Sequence, residues 1–139
     1  MFTVTGESSL TPAELWARAV DFGAHTATVP LTTTRTDGGE PHEGWSFTVR
    51  TTLGPVRLDD SMVVAEWEPP LRWRVHKTGP IHGWAEGVVS PSGAGSRLTW
   101  TEELWFGGKL LSPLTRRVGD VVGPLLFGPV VRRIATVTR

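Results

Sequence analysis

The chain has 139 residues, with 14 Lys and Arg balanced by 14 Asp and Glu, and no cysteine. Zero net charge argues against a polyanion-binding class, and the lack of cysteine excludes disulfides, thiolate metal sites and cysteine nucleophiles. The length fits one domain over residues 1–139, large enough to bury a core without a covalent or metal staple.

The chain enters on a strand-like run, Phe2 to Thr5, with no basic start and apolar stretch of a secretory signal. No apolar run approaches the roughly 18 residues of a spanning helix. We therefore expect a soluble, cytoplasmic protein without membrane insertion. A helix should begin at Thr11, which suits the N-cap, with Pro12 in the first turn and Glu14 where a capping box needs its acceptor. Leu10 and Leu15 stand at hydrophobic-staple positions. Leu15, Trp16, Ala19, Val20 and Phe22 continue an apolar stripe, and Gly23 supplies a stop. Residues 23–30 have room for one helical turn, which we expect at one side of a pocket mouth.

From residue 32 to 106, runs rich in Val, Thr, Trp and Leu alternate with clusters of Gly, Pro, Asp and Ser. Strands are expected at 32–36, 44–53, 56–67, 71–77, 82–90 and 96–106, and with 2–8 these make seven. The connections are too short for helical crossovers, so the sheet should be an antiparallel meander. The chain has seven tryptophans and no tyrosine, and six of the tryptophans fall in these strands, more aromatic bulk than a small core needs. That pattern suggests a curved sheet closed around an apolar space.

The last segment places Leu111, Leu114, Val118, Val121, Val122, Leu125, Leu126, Val130, Ile134 and Val137 on a broad helical stripe expected to pack on the sheet. Pro124 and Pro129 each remove a helix hydrogen bond, which predicts either a bend near Gly123 or Gly128 or two short helices. Residues 109–139 are locally basic, with Lys109, Arg116, Arg117, Arg132, Arg133 and Arg139 against Asp120. A solvated polar face accounts for this, and transient contact with an anionic surface or acidic partner is the functional alternative.

The order of these features resembles the START-like (SRPBCC) superfamily, which includes polyketide cyclases, lipid-transfer domains and the major birch pollen allergen family. The residues that carry the resemblance are Phe2 to Thr5, the Leu-Thr-Pro-Ala-Glu-Leu-Trp entry at 10–16, Asp21-Phe22, the seven-strand count, the Trp67-Glu68-Pro69-Pro70-Leu71 turn and the late helix. The resemblance implies an α+β helix-grip fold. A seven-stranded curved antiparallel sheet would wrap a long, kinked C-terminal helix, with one or two short helices after the first strand and a hydrophobic cavity between sheet and helix.

Strand alternation nominates the polar groups facing that cavity. Glu102 shares parity with Leu98, Trp100 and Leu104, and Asp60 with Leu58, Met62 and Val64. Burial beside aromatic surface would raise either carboxyl pKa and suit it to proton transfer, unless a bulge near either residue turns it to solvent. His82, Trp84 and Glu86 share one strand face but span about 13 Å, too far for a dyad. Trp84 is a candidate wall and Glu86 a candidate anchor, against the plainer reading of an exposed strand end. His76 should face outward, and His25 and His42 fall in irregular segments. The expected ligand-binding set is Trp45, Phe47, Trp73, Trp84, Glu86, Trp100, Glu102 and Leu125; the same residues could instead fill a dry core.

The histidines and carboxylates show no ligand spacing for a metal, and there is no nucleophile elbow, phosphate loop or dinucleotide fingerprint, so no metal or cofactor is expected. Nucleic acid is not an expected partner. The leading expectation is binding of a small hydrophobic molecule, such as a lipid, polyketide or aromatic metabolite. A cyclase or dehydratase using Glu102 or Asp60 is the second, and a protein-interaction module using the basic late helix the third.

Overall fold

The computed structural model describes residues 1–25 and 31–136. Strand β1 (Phe2–Ser8) leads into helices α1 (Pro12–Ala19) and α2 (Phe22–His25). Strands β2 (Thr32–Thr36), β3 (Ser46–Leu53), β4 (Val56–Glu68), β5 (Arg72–Thr78), β6 (Ile81–Ser92) and β7 (Gly95–Phe106) follow, and helix α3 (Ser112–Ala135) closes the chain. The strands form one antiparallel sheet in the order β1-β7-β6-β5-β4-β3-β2, so β2 to β7 are sequential hairpins and β1 returns to the β7 edge. This is the curled sheet and long terminal helix of the helix-grip fold. The expected pocket-mouth segment lies partly at 26–30, outside the described residues, as do Val137 and Arg139.

Local signals explain the helix entry. Thr11 Oγ1 accepts from the Glu14 backbone N–H at 3.2 Å, and Glu14 Oε2 accepts from the Thr11 N–H at 3.0 Å, satisfying two donors that a helix start leaves open. The same helix serves the far end of the chain. Arg18 donates to the carbonyl oxygens of Ile134 at 2.7 Å, Arg133 at 3.0 Å and Thr136 at 3.1 Å. Its guanidinium thus closes the C-terminus of α3, where carbonyls are unpaired and the helix dipole favours a cation.

Helix α3 is one continuous helix with Pro124 and Pro129 inside it, the long-helix alternative rather than two helices and a turn. Of the stripe expected to pack, Val130 and Ile134 are buried, but its members from Leu111 to Leu126 are exposed, which corrects the sequence reading. The side against β1 and β7 is Thr115, Gly119, Gly123, Val130, Val131, Ile134 and Ala135, whereas Leu114, Val118, Val121, Val122, Leu125 and Leu126 are exposed. The reason is separation. A Cβ at Gly123 would stand 2.2 Å from Phe2 Cε1, and one at Gly119 3.0 Å from Leu104 Cδ1. Small residues let the helix backbone approach the sheet closely, and larger apolar residues are left on the outer side.

The sheet preserves the parity that the site depends on. The β6–β7 register is unbroken from Ile81↔Phe106 to Ser92↔Gly95, so Leu98, Trp100 and Glu102 keep one face. In β4 the register shifts between Val64 and Glu66, past Asp60, so Asp60, Met62 and Val64 also stay together. Beyond the bulge Trp67 pairs with Trp73 and packs edge-on to Trp16, with ring centroids 5.1 Å apart.

Candidate functional site

A cavity of about 310 Å³ lies between the inner face of the sheet and α3. One wall is aromatic: Phe47, Trp73, Trp100, Phe22 and Phe127 line it, and the Trp73 and Trp100 rings meet edge-on at 5.0 Å. Trp73 reaches this position because β6 offers Gly87 beneath it, where a Cβ would be 2.4 Å from the ring. The remaining wall is aliphatic, from Val49, Met62, Val75, Ala85, Leu104 and Val130. Leu58, Thr51 and Leu126 line the cavity yet are exposed, and so mark its mouth.

One charged cluster breaks this mostly apolar lining. The Lys77 ammonium lies 2.6 Å from Asp60 Oδ2 and 3.0 Å from Glu102 Oε1, and Glu102 Oε2 accepts from Trp100 Nε1 at 3.1 Å. Lys77 and Glu102 are buried, with side chains 3% and 2% exposed. Asp60 is more open, and among the described residues its Oδ1 has no hydrogen-bond partner. Burial holds the Asp60 carboxyl above its ordinary value, against the lowering attraction of Lys77, and Glu102 repulsion adds to the rise. Burial alone would lower the Lys77 ammonium, but attraction and hydrogen bonds to Glu102 and Asp60 override it and hold the pKa above its usual value. Two acids share one base, so the ionised triad carries a net negative charge. Asp60 is the member best placed to take up a proton.

Of the nominated residues, the structure brings Phe47, Trp73, Trp100, Glu102 and Asp60 to the cavity. Trp45 is buried behind the wall, with its ring 5.6 Å from Phe47 and 6.1 Å from Phe22. Trp84, Glu86 and Leu125 are corrections. The β6 residues buried on the inner face are Ala85, Gly87 and Val89, which puts Trp84 and Glu86 on the outer face. There Arg74 sits 4.2 Å over the Trp84 ring, and Glu86 pairs with Arg72 at 2.8 Å. Leu125 is on the solvent side of α3. The sequence reading missed Lys77, although alternation in β5 places it on the face of Trp73 and Val75. Among the described residues no group of three or more His, Asp or Glu could hold a metal ion, and no helix is long and apolar enough to cross a membrane.

No protein-family model matches the sequence, and no curated protein matches it. Solved structures do match. Protein TTHA0849 from Thermus thermophilus aligns with a TM-score of 0.77 at 12% identity, covering 96% of this chain and 93% of its own. Ara h 8.0201 aligns at 0.66 and 11% identity, over 96% and 95%. The Polyketide_cyc-like protein Cgl2372 from Corynebacterium glutamicum aligns at 0.61 and 16% identity, over 96% and 88%. These likenesses establish the helix-grip fold. Identities this low establish the fold alone.

Proposed function

We propose that the protein reversibly binds a small hydrophobic molecule in the cavity beneath α3. The observation that carries this reading is the mostly apolar, Trp-walled space of about 310 Å³ with one charged cluster in its lining. Ligand pockets run from roughly 300 to 1,000 Å³, so this one suits a mono- or bicyclic aromatic or a short acyl chain rather than a two-chain lipid. Phe47, Trp73 and Trp100 supply contact area, and the carboxylates orient a polar group. With a net negative triad in a low-dielectric wall, a neutral hydrogen-bond donor is favoured over a carboxylate ligand. Naphthol and naphthoate share one ring system and differ in charge, so titrating both against tryptophan fluorescence tests the reading. Saturable quenching by naphthol, with naphthoate about tenfold weaker or worse, is the expected result. No saturable response to either, together with no small molecule released on unfolding the protein purified without detergent, overturns it.

A second reading is a cyclase- or dehydratase-type enzyme in which Asp60 moves a proton on the bound ligand. The raised Asp60 carboxyl and its unpartnered Oδ1 favour Asp60 over Glu102, whose two oxygens are already engaged by Lys77 and Trp100. An Asp60→Asn variant that keeps full turnover of a substrate removes this reading and leaves the binding one intact.

A further inference from the structure

The solvent face of α3 is an apolar surface that the fold itself leaves uncovered. Leu114, Val118, Val121 and Leu125 follow one another at three- and four-residue steps, with Val121 70% and Leu125 73% exposed. Leu110 and Leu111 extend the stripe at its N-terminal end, and Val122 and Leu126 flank it. Single exposed apolar residues need no explanation, whereas a contiguous patch of this kind marks an interaction site. The patch also runs into the cavity, because Leu126 is exposed on the helix and lines the mouth opposite Leu58.

Charge decides what covers it. Lys109, Arg117, Arg132 and Arg133 are exposed along the helix and its lead-in. Asp120, the one acid among described residues 109–136, is engaged by the Met1 amino group. Arg35 and Arg57 are exposed on the sheet, on the strands β2 and β4 that carry Thr32 and Leu58 to the cavity. A second copy is a poor fit. Antiparallel pairing of two α3 helices about Val121 sets Lys109 against Arg133 at both ends, and parallel pairing sets Arg117 against Arg117, with no acid to answer either. An apolar stripe edged by cations matches the boundary between acyl chains and anionic headgroups.

We propose that the protein docks on anionic lipid bilayers through the solvent face of α3, with its apolar side chains at the headgroup boundary and the cavity mouth at Leu126 next to the membrane. This surface is independent of what the cavity holds, and the probe needs no cavity ligand. The full chain is sedimented with vesicles of phosphatidylcholine alone and of phosphatidylcholine mixed with phosphatidylglycerol, at low and high salt. Binding is expected to the mixed vesicles and to weaken with salt. Leu125→Ser and Val121→Ser should each lower partitioning about tenfold, the worth of one buried aliphatic side chain. Both side chains are exposed, so circular dichroism and the melting temperature should match the wild type. The proposal is overturned if the wild type ignores anionic vesicles, or if Leu125→Ser binds them equally well. It is also overturned if light scattering finds a dimer that Leu125→Ser dissociates, since the face would then belong to a second copy.

Discussion

The Lys77 ammonium lies 3.0 Å from Glu102 Oε1 with both side chains almost fully buried, and Asp60 closes the group on the other side at 2.6 Å. Removing the cation alone should be far worse than removing the whole group. Lys77→Met leaves two carboxylates facing each other in an apolar wall, and breaking a buried pair in this way costs about 3–5 kcal/mol. Adding Asp60→Asn and Glu102→Gln to Lys77→Met removes the stranded charge and should recover most of the loss. Urea denaturation of wild type, single and triple variants reads this directly. A single variant as stable as the triple would mean that the charges are not coupled.

The same triad sets a pH dependence with a definite sign. Burial holds the folded Asp60 carboxyl above its ordinary value of 3.8, against the lowering pull of Lys77 and with Glu102 adding to the rise. Between 3.8 and the raised value, the folded protein keeps a proton that the unfolded chain has released. Stability from this group is therefore greatest at acid pH and falls as pH rises through that window. Lys77 acts at the alkaline end. Its folded pKa is above 10.5, so its contribution is complete below 10.5 and is lost as pH rises through the folded value. Comparing denaturation midpoints of wild type and Asp60→Asn across the acid range isolates Asp60, because the lowered Glu7 and Asp59 carboxyls act equally in both proteins. The wild type should lose stability relative to the variant as pH rises.

Strand alternation made half of this site legible. Asp60 and Glu102 could be placed because parity with Met62 and Trp100 needs only an unbroken register, and the β4 bulge falls beyond Asp60. Lys77 was equally legible from Trp73 and Val75, but a lysine reads as a surface residue until two acids on neighbouring strands are seen to converge on it. For Trp84 and Glu86, parity groups residues without saying which group faces in. Ala85, Gly87 and Val89 face in because Gly87 makes room for the Trp73 ring, a cross-strand fact. The helix stripe from Leu111 to Leu126 failed for a related reason. A larger apolar stripe normally marks the buried side, yet here Gly119 and Gly123 allow an approach too close for leucine.

Filling the cavity should separate binding from folding. Ala85 lines the cavity and is 2% exposed, so Ala85→Phe projects a ring into the open space. Overpacking a dense core costs about 1–3 kcal/mol, but a cavity of about 310 Å³ can take the ring with little strain. The expected result is a melting temperature near that of wild type with naphthol binding abolished. A large fall in melting temperature would show that the space is not open at Ala85.

Arg18 ties α1 to the end of α3, and its loss should loosen the helix that roofs the cavity. Three carbonyl acceptors share one guanidinium, and hydrogen bonds to a charged group are worth about 1.5–3 kcal/mol. Arg18→Ala should cost about 2 kcal/mol in urea denaturation, with faster amide exchange in the last turn of α3. Arg18→Lys should recover only part of this, because an ammonium lacks the planar fork that reaches several carbonyls at once. Full recovery by lysine would reduce the contact to a point charge at the helix end.

Two glycines of α3 give unequal expectations from the same substitution. Each precedes a proline, whose Cδ crowds a Cβ on the preceding helical residue, so the usual advantage of alanine over glycine, about 1 kcal/mol, is reduced at both positions. At Gly128 an added Cβ meets, beyond its chain neighbours, only the far end of the Arg132 side chain, at 3.4 Å, so Gly128→Ala adds no clash with the sheet. At Gly123 the same atom would stand 2.2 Å from the Phe2 ring, which is itself buried and stacked on Phe127 at 5.9 Å. Relief requires the helix to move off β1 or the ring to leave its place, and overpacking of this kind costs about 1–3 kcal/mol. Gly123→Ala should therefore lower the melting temperature well below that of Gly128→Ala. If both variants changed stability alike, α3 could not lie as close to Phe2 as the small-residue seam requires.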